Sequence, residues 1–127
     1  MNLFEIGKEG QDLVLQAYLD RGYSIVTTNF EYRRIGQQGR LGEIDLVFYK
    51  EKVVYFVEVK TRNNSKYGSA LEQITRKKLQ TLYRAILYFL SKKEFSIYRD
   101  FKSQFDAAIV EKGAVKVYPN CYTFDGM

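Results

Sequence analysis

The sequence GEIDLVFYKEKVVYFVEVKTR, residues 42–62, contains two apolar segments separated by a short polar one. Residues 43–49 and 53–60 are rich in valine, isoleucine and aromatic side chains, which favour β-strands, and the polar residues 50–52 between them predict an antiparallel hairpin. The second strand is apolar until its last three residues. Because this is typical of a central strand covered on both faces, we expect the hairpin in the middle of a sheet.

The segments on either side of the hairpin predict helices and further strands. Residues 5–21 carry apolar side chains at intervals of three and four, and the same helical spacing recurs from about residue 69 to residue 90. The glycine- and arginine-rich residues 30–42 predict a mobile loop or the tip of a hairpin. Three more segments have the composition of strands, namely residues 23–29, 105–110 and 114–118. The order αβββαββ predicts an α/β (α+β) fold, a three-layer sandwich with a mixed central β-sheet flanked by helices, in a single domain spanning residues 1–127.

The composition restricts the chemistry that this chain can perform. Its 127 residues include no histidine and one cysteine, Cys121, which excludes imidazole acid–base catalysis and zinc sites built from cysteine or histidine. Twenty Lys and Arg against 15 Asp and Glu give a net charge of +5, which favours a polyanionic partner, nucleic acid rather than a membrane. No apolar segment approaches the ~20 residues of a membrane-spanning helix, and the first residues lack a signal-peptide pattern. We therefore expect a cytoplasmic protein.

Three charged residues of the hairpin are candidates for chemistry. Glu58 and Lys60 are two residues apart on a strand, so both project from the same face. Asp45 lies opposite Glu58 if the hairpin loop has two or four residues, whereas a three-residue loop places Asp45 opposite Val57 unless a bulge intervenes. Two neighbouring carboxylates form an oxygen-ligand site suited to Mg²⁺ or Mn²⁺, and a lysine beside them fits metal-assisted phosphodiester cleavage. The alternative is a structural ion pair at the end of the strand.

Basic residues surround this hairpin in two clusters, which we expect to flank one groove and to bind nucleic-acid phosphates without reading sequence. The clusters comprise Arg33, Arg34 and Arg40 before the first strand, and Arg62, Lys66, Arg76, Lys77 and Lys78 after the second. The alternative is that these basic faces are only solvated. Eleven tyrosines also allow base stacking, with Tyr32, Tyr67 and Tyr98 as candidates.

In its motifs GEIDL, residues 42–46, and FVEVKTR, residues 56–62, the sequence resembles the YraN-type UPF0102 family of endonuclease-like proteins. Through an Asp followed by Glu-x-Lys on a hairpin, it is also similar to the PD-(D/E)xK nuclease superfamily, which includes Holliday junction resolvases. The resemblance extends from Gly7-x-x-Gly10 to Phe105-Asp106 and thus covers nearly the whole chain. It implies a restriction-endonuclease-like fold.

The resemblance also implies a role for individual residues. Asp45 and Glu58 would hold the Mg²⁺ or Mn²⁺ ion, with the Val59 carbonyl as a third protein ligand. Lys60 would orient or help to deprotonate the attacking water and offset the charge that grows on the phosphate. Gln73 would contact the phosphate or the attacking water. A solvated polar helix face is the alternative for Gln73.

Three functions compete for this sequence. The first is a divalent-metal-dependent endonuclease that hydrolyses DNA phosphodiester bonds, on branched or structured DNA, with DNA favoured over RNA and a homodimer expected by analogy because cutting two strands needs two active sites. The second is a catalytically weak or inactive nucleic-acid-binding module of the same fold, since the family usually has Gly-Glu where this chain has Gly10-Gln11. The third is a protein that dimerises through its aromatic residues, which leaves the Asp45, Glu58 and Lys60 constellation to chance.

Overall fold

The computed structural model describes residues 2–34, 36, 38–39, 41–62 and 76–122, with the side chains of Leu3, Cys121 and Tyr122 excepted. Two α-helices, five strands and one 3₁₀ helix lie in this part of the chain. In chain order they are α1 (Leu3–Asp20), β1 (Ser24–Tyr32), β2 (Gly42–Lys50), β3 (Val53–Arg62), α2 (Arg76–Ser91), the 3₁₀ helix (Lys93–Asp100), β4 (Lys102–Glu111) and β5 (Ala114–Tyr122). Within these residues no helix is long and apolar enough to cross a membrane.

The five strands form one mixed sheet in the order β1-β2-β3-β4-β5. The pairs β1–β2, β2–β3 and β4–β5 are antiparallel, and β3–β4 is parallel. Strand β3 is therefore the central strand, as its apolar sequence predicts. The parallel step from β3 to β4 contains α2, because parallel neighbours need a long crossover connection. The predicted α+β fold with a mixed sheet between helices is confirmed.

Each face of the sheet has its own hydrophobic core. On one face, Phe56 of β3 packs with Leu82 and Phe89 of α2. On the other face, Val57 of the same strand packs with Val14 of α1. Since side chains alternate along a strand, the even-numbered residues that end β3 lie on the α2 side of the sheet. This alternation directs Glu58 and Lys60 towards α2.

Strand β1 is longer than the sequence predicts. Asn29, a residue type common in turns, takes a left-handed conformation with a φ angle of 51°, and the strand continues past it to Tyr32. The predicted loop is therefore wrong for residues 30–32. The 3₁₀ helix Lys93–Asp100 was not predicted. The predicted start of the second helix, near residue 69, lies outside the described residues.

Two glycines allow both helices to approach the sheet closely. A Cβ atom at Gly10 of α1 would collide with the Thr61 hydroxyl of β3. A Cβ atom at Gly42 of β2 would lie 2.9 Å from the Thr81 Cγ2 atom of α2. Contacts this short do not occur between real side chains, so a larger residue would push either helix away from the sheet. Both glycines thus hold helices at the strand ends that carry the candidate residues.

Candidate active site

The hairpin loop between β2 and β3 has two residues, Glu51 and Lys52. Both have positive φ angles, 50° and 65°, as a type I′ hairpin turn requires. Leu46 pairs with Val57 in the resulting ladder. The ladder ends at this pair, and the next residue of β2, Asp45, lies close enough to Glu58 for the charge of Glu58 to raise the pKa of Asp45. The two-residue loop is therefore the observed alternative, and the three-residue loop is wrong.

The two carboxylates lie in an environment that disfavours their charges. Glu58 is only 4% exposed, and Asp45 is half-buried. Burial, followed by the nearby charge of Glu58, raises the pKa of Asp45 to about 7, and Glu43 contributes in the same direction. The Val59 N–H opposes this rise because it donates a 2.8 Å hydrogen bond to Asp45 Oδ2. Two carboxylates that repel each other in a partly dry site favour the binding of a cation.

Two lysines partly neutralise this pair. Lys60 Nζ lies 3.7 Å from Glu58 Oε1, and Lys78 Nζ of α2 lies 3.2 Å from the same oxygen. The predicted ion pair between Glu58 and Lys60 is therefore present, but a second cation from the opposite layer joins it. Both ammonium groups keep solvent contact, with 31% of the Lys60 and 41% of the Lys78 side chain exposed. An open arrangement of this kind can exchange its cations, unlike a closed salt bridge in a core.

The carboxylates open into a cavity of about 420 Å³ between the ends of β2 and β3 and the start of α2, which we call the carboxylate cavity. Its lining combines acidic residues of the hairpin with basic and small residues of α2, namely Leu41, Gly42, Glu43, Asp45, Glu58, Lys77, Lys78, Thr81 and Leu82. The volume lies within the usual range for sites that bind small ligands. An anionic ligand in this cavity would meet ammonium groups on one wall and carboxylates on the other.

The donor set fits Mg²⁺ or Mn²⁺. Such ions are held in phosphate-handling enzymes by one or two carboxylates, and waters and substrate phosphate complete their coordination. Asp45 and Glu58 supply two carboxylates on one face of the hairpin. The Val59 carbonyl lies on the strand edge nearest Asp45, because the N–H and C=O of one residue in a strand point to the same side and the N–H contacts Asp45. Among the described residues, no group of three or more acids, cysteines or histidines forms a complete metal cage.

A family model for the uncharacterised protein family UPF0102 matches residues 10–110, a span that includes most of α1, the hairpin, α2 and most of β4. The chain belongs to the UPF0102 family. It is 32% identical over 106 residues to a UPF0102 protein of Fusobacterium nucleatum, which covers 84% of this chain and 81% of the relative. It is 35% identical over 114 residues to one of Syntrophomonas wolfei, which covers 89% of this chain and 91% of the relative. The family resemblance expected from the two hairpin motifs is thus confirmed.

The basic residues of this UPF0102 chain are distributed unevenly around the carboxylate cavity. Lys77 and Lys78 line it, and Arg76 is exposed at the start of α2. Arg33 forms a 2.6 Å ion pair with Glu31. Arg34 lines a neighbouring cavity, and Arg62 ends β3 and interacts with a partner. The other two members of the basic clusters, Arg40 and Lys66, lie outside the described residues. Gln73 also lies outside the described residues.

Sequence reasoning assigned Lys78 to the nucleic-acid surface and missed its contact with Glu58. Nothing local in the sequence signals this contact, because it depends on how α2 crosses the hairpin. The close approach at Gly42 and Thr81 brings the first turns of α2 over the carboxylates. Gly42, at the start of the strand that carries Asp45, was the one feature of the sequence that could have indicated a close crossing by a helix.

Proposed function

We propose that this UPF0102 protein is a divalent-metal-dependent endonuclease that hydrolyses phosphodiester bonds in DNA, with an active site of the restriction-endonuclease-like type. The observation that carries the proposal is the closeness of Asp45 and Glu58, which line one wall of a cavity whose other wall carries lysines. A structural ion pair would need neither the second carboxylate nor the cavity. A phosphate bound beside a divalent ion would use both.

Asp45 and Glu58 would hold Mg²⁺ or Mn²⁺, and the Val59 carbonyl would add a third protein oxygen. When bound, such an ion polarises the phosphate and lowers the pKa of a coordinated water. The hydrogen bond from the Val59 N–H fixes the Asp45 carboxylate in the plane where the β2–β3 ladder ends. The protein thus orients its ligand oxygens in advance, which is how a metal site gains precision.

Lys60 would face the scissile phosphate beside the carboxylates and offset the negative charge that builds in the transition state. Lys77 and Lys78 of α2 would bind the same phosphate or its neighbour from the opposite wall. Gln73 would contact the phosphate or the attacking water. The remaining basic residues would hold the nucleic-acid backbone and supply affinity that depends on salt and not on sequence. Cutting both strands of a duplex would need two copies of the chain.

A catalytically weak nucleic-acid-binding module is the second candidate. The observation in its favour is Gln11, which stands where the family usually has glutamate. Gln11 is half-buried and follows Gly10, the glycine that lies against Thr61. An amide cannot replace the charge of a carboxylate ligand. The neighbouring acids Glu9 and Asp12 are both exposed on α1. This module would keep the basic groove and bind DNA without cutting it.

A cleavage assay separates the two candidates. The purified protein is incubated with labelled linear, flapped and four-way DNA and a matching RNA, with Mg²⁺, Mn²⁺ or EDTA, beside the variants Asp45→Ala and Asp100→Ala. Asp100 is an exposed acid in the 3₁₀ helix and serves as the matched control. We expect metal-dependent cleavage by the wild type and the control, and none by Asp45→Ala. Binding without cleavage would favour the module, and neither binding nor cleavage would contradict both candidates.

A further inference from the structure

A second cavity adjoins the carboxylate cavity. It has a volume of about 200 Å³ and shares Leu41 and Thr81 with its larger neighbour. Its other lining residues are Tyr32 at the end of β1, Arg34 just after it, and Arg84 of α2. We call it the arginine cavity. A ligand extended across Leu41 and Thr81 would occupy both cavities at once.

Helix α2 connects the two cavities along one of its faces. Lys77, Thr81 and Arg84 are spaced four and three residues apart, so they form a continuous stripe that continues to Tyr88. The rise of 1.5 Å per residue separates Lys77 from Arg84 by about 10 Å along the helix axis. One nucleotide of a stacked strand advances roughly 3.4 Å, so this length corresponds to about three nucleotides.

The two arginines of the arginine cavity are available to a ligand. Arg34 and Arg84 are exposed, and neither forms an ion pair or hydrogen bond with another described residue. Other arginines are engaged, since Arg33 pairs with Glu31 and Arg99 donates to main-chain carbonyls at the end of α2. Two guanidinium groups on one cavity form an anion site, because their planar donors match phosphate oxygens in pairs.

The third wall of the arginine cavity is an aromatic ring held in place. Tyr32 is half-buried, and its ring packs against Tyr88 with a centroid separation of 4.9 Å and an interplanar angle of 38°. Tyr88 packs in turn against Phe30 at 5.8 Å. A ring that packs against another aromatic ring and also lines a cavity is suited to stack on a nucleobase. Phosphate donors and an aromatic surface therefore lie side by side.

We propose that the arginine cavity binds a second nucleotide of the nucleic-acid strand, with its phosphate between Arg34 and Arg84 and its base against Tyr32. This nucleotide lies about three positions from the phosphate held at the carboxylate cavity. The proposal rests on the proposed function, because it assumes that the ligand of the carboxylate cavity is a nucleic-acid strand. It adds a subsite that positions that strand and fixes its direction across α2.

The test is a salt titration of binding. A fluorescein-labelled 12-nucleotide oligothymidylate is titrated with protein in EDTA, and its anisotropy is measured from 50 to 300 mM KCl. The variants are Arg34→Met/Arg84→Met, the charge-keeping Arg34→Lys/Arg84→Lys, and a matched control that also removes two cations, Arg21→Met/Lys102→Met. Arg21 directly follows α1. Lys102 is exposed, and its strand partner is Val53, which lies at the opposite end of β3 from Glu58.

For single strands each lost phosphate contact lowers the slope of log K against log salt by about 0.7. Because both arginines hold one phosphate, we expect the double methionine variant to lose about 0.7 of slope and roughly fivefold in affinity at 100 mM salt. The lysine variant should keep most of the slope, and the control should keep nearly all of it. Tyr32→Leu should lower affinity about fivefold or more with the slope unchanged, because stacking is uncharged.

The outcomes distinguish failure of the subsite from failure of the proposed function. If the wild type binds and the double methionine variant keeps its slope, or if the control loses as much, the subsite is wrong and the proposed function is untouched. A wild type that neither binds the oligonucleotide nor cleaves any DNA would contradict the proposed function, and the subsite with it. Melting curves of each variant confirm that the folded protein is measured.

Discussion

Glu58 and Asp106 are buried acids on adjacent strands, 4% and 2% exposed, and they lie on opposite faces of the sheet. Asp106 accepts hydrogen bonds from the Tyr18 hydroxyl at 2.7 Å, the Gln104 amide at 2.9 Å and the Asn120 N–H at 2.9 Å. Among the residues that the structure describes, Glu58 has no comparable set of neutral donors. It lies beside Asp45 and two lysine ammonium groups, at the edge of a cavity.

The contrast separates a structural acid from the acid that we propose to be functional. Neutral donors from α1, β4 and β5 close around Asp106, so its carboxylate joins three elements and has no access to a ligand. Burial, and next the charge of Asp106, raise the pKa of Tyr18 well above its ordinary range, so this hydroxyl remains a donor. The Asp45–Glu58 pair is built in the opposite way, with mutual repulsion and exchangeable cations. Sites of this second kind are where perturbed carboxylates serve chemistry.

The largest effect is expected for Lys60→Met. Losing one preorganised electrostatic contact in an active site costs on the order of 10²–10³ in rate, or ~3–4 kcal/mol, so cleavage should fall by that factor. DNA affinity should fall only slightly. Stability should barely change, because Lys78 still pairs with Glu58 at 3.2 Å. Kinetics, anisotropy and melting are measured beside Lys102→Met, and a fully active Lys60→Met protein would remove Lys60 from the proposed mechanism.

The next largest effect is expected for Asp106→Ala. The change leaves the buried Tyr18 hydroxyl and two partly buried donors without their acceptor and opens a small void, so the free energy of unfolding should fall by about 3 kcal/mol. Urea denaturation measures this loss of stability. The control is Asp100→Ala at an exposed position, which should change the free energy of unfolding by no more than about 0.5 kcal/mol. A loss no larger than that of the control would show that the hydrogen bonds around Asp106 do not hold the three elements together.

Asp45→Asn should act in the opposite direction and stabilise the protein. The pKa of Asp45 is raised from 3.8 to about 7 on folding, so the folded state keeps a proton that the unfolded state has released. The wild-type free energy of unfolding should therefore fall as the pH rises from about 4 to about 7, and the variant should lack this fall. At pH 8 the variant should be more stable by about 1–2 kcal/mol, since the lysines offset part of the wild-type repulsion. Equal pH profiles for the two proteins would contradict the repulsive pair.

The smallest effect is expected for Tyr18→Phe. The ring keeps its stacking on Phe48, with centroids 4.3 Å apart, and Asp106 keeps two of its three donors. The loss of one hydrogen bond should lower the free energy of unfolding by about 1 kcal/mol, less than for Asp106→Ala. Tyr118→Phe, on half-buried Tyr118 of β5, is the control. If Tyr18→Phe lowered the free energy of unfolding as much as Asp106→Ala, the Tyr18 hydrogen bond alone would account for the whole stabilisation by Asp106.

The fold and the candidate site residues could be predicted from local sequence. The register in which β2 pairs with β3 could not. The apolar runs on both sides of the hairpin predict β2, β3 and their central position. Lys50, Glu51 and Lys52 all have the composition of a loop, yet only the last two form it, without the Asn-Gly sequence that marks a type I′ turn. The register of Asp45 depends on that one residue, because a shift by one reverses the face of every side chain.

The long-range contacts of the two buried acids could not be predicted from local sequence. Asp106 gains its donors from residues 18, 104 and 120, which only the tertiary fold brings together. Lys78 reaches Glu58 only because α2 crosses the hairpin closely. Contacts between residues far apart in the chain leave no periodic signal, so their roles are read from the structure alone.

The central claim is that Asp45 and Glu58 hold a divalent cation whereas Asp106 holds the fold. Isothermal titration calorimetry of Mn²⁺ binding at pH 7.5 tests it most directly, on the wild type and on Asp45→Asn, Glu58→Gln and Tyr18→Phe. The account predicts that Mn²⁺ binds the wild type and the Tyr18→Phe protein alike, and that either carboxylate substitution weakens binding at least about tenfold. A wild type that binds no Mn²⁺, or an Asp45→Asn protein that binds it as tightly as the wild type, would contradict the account.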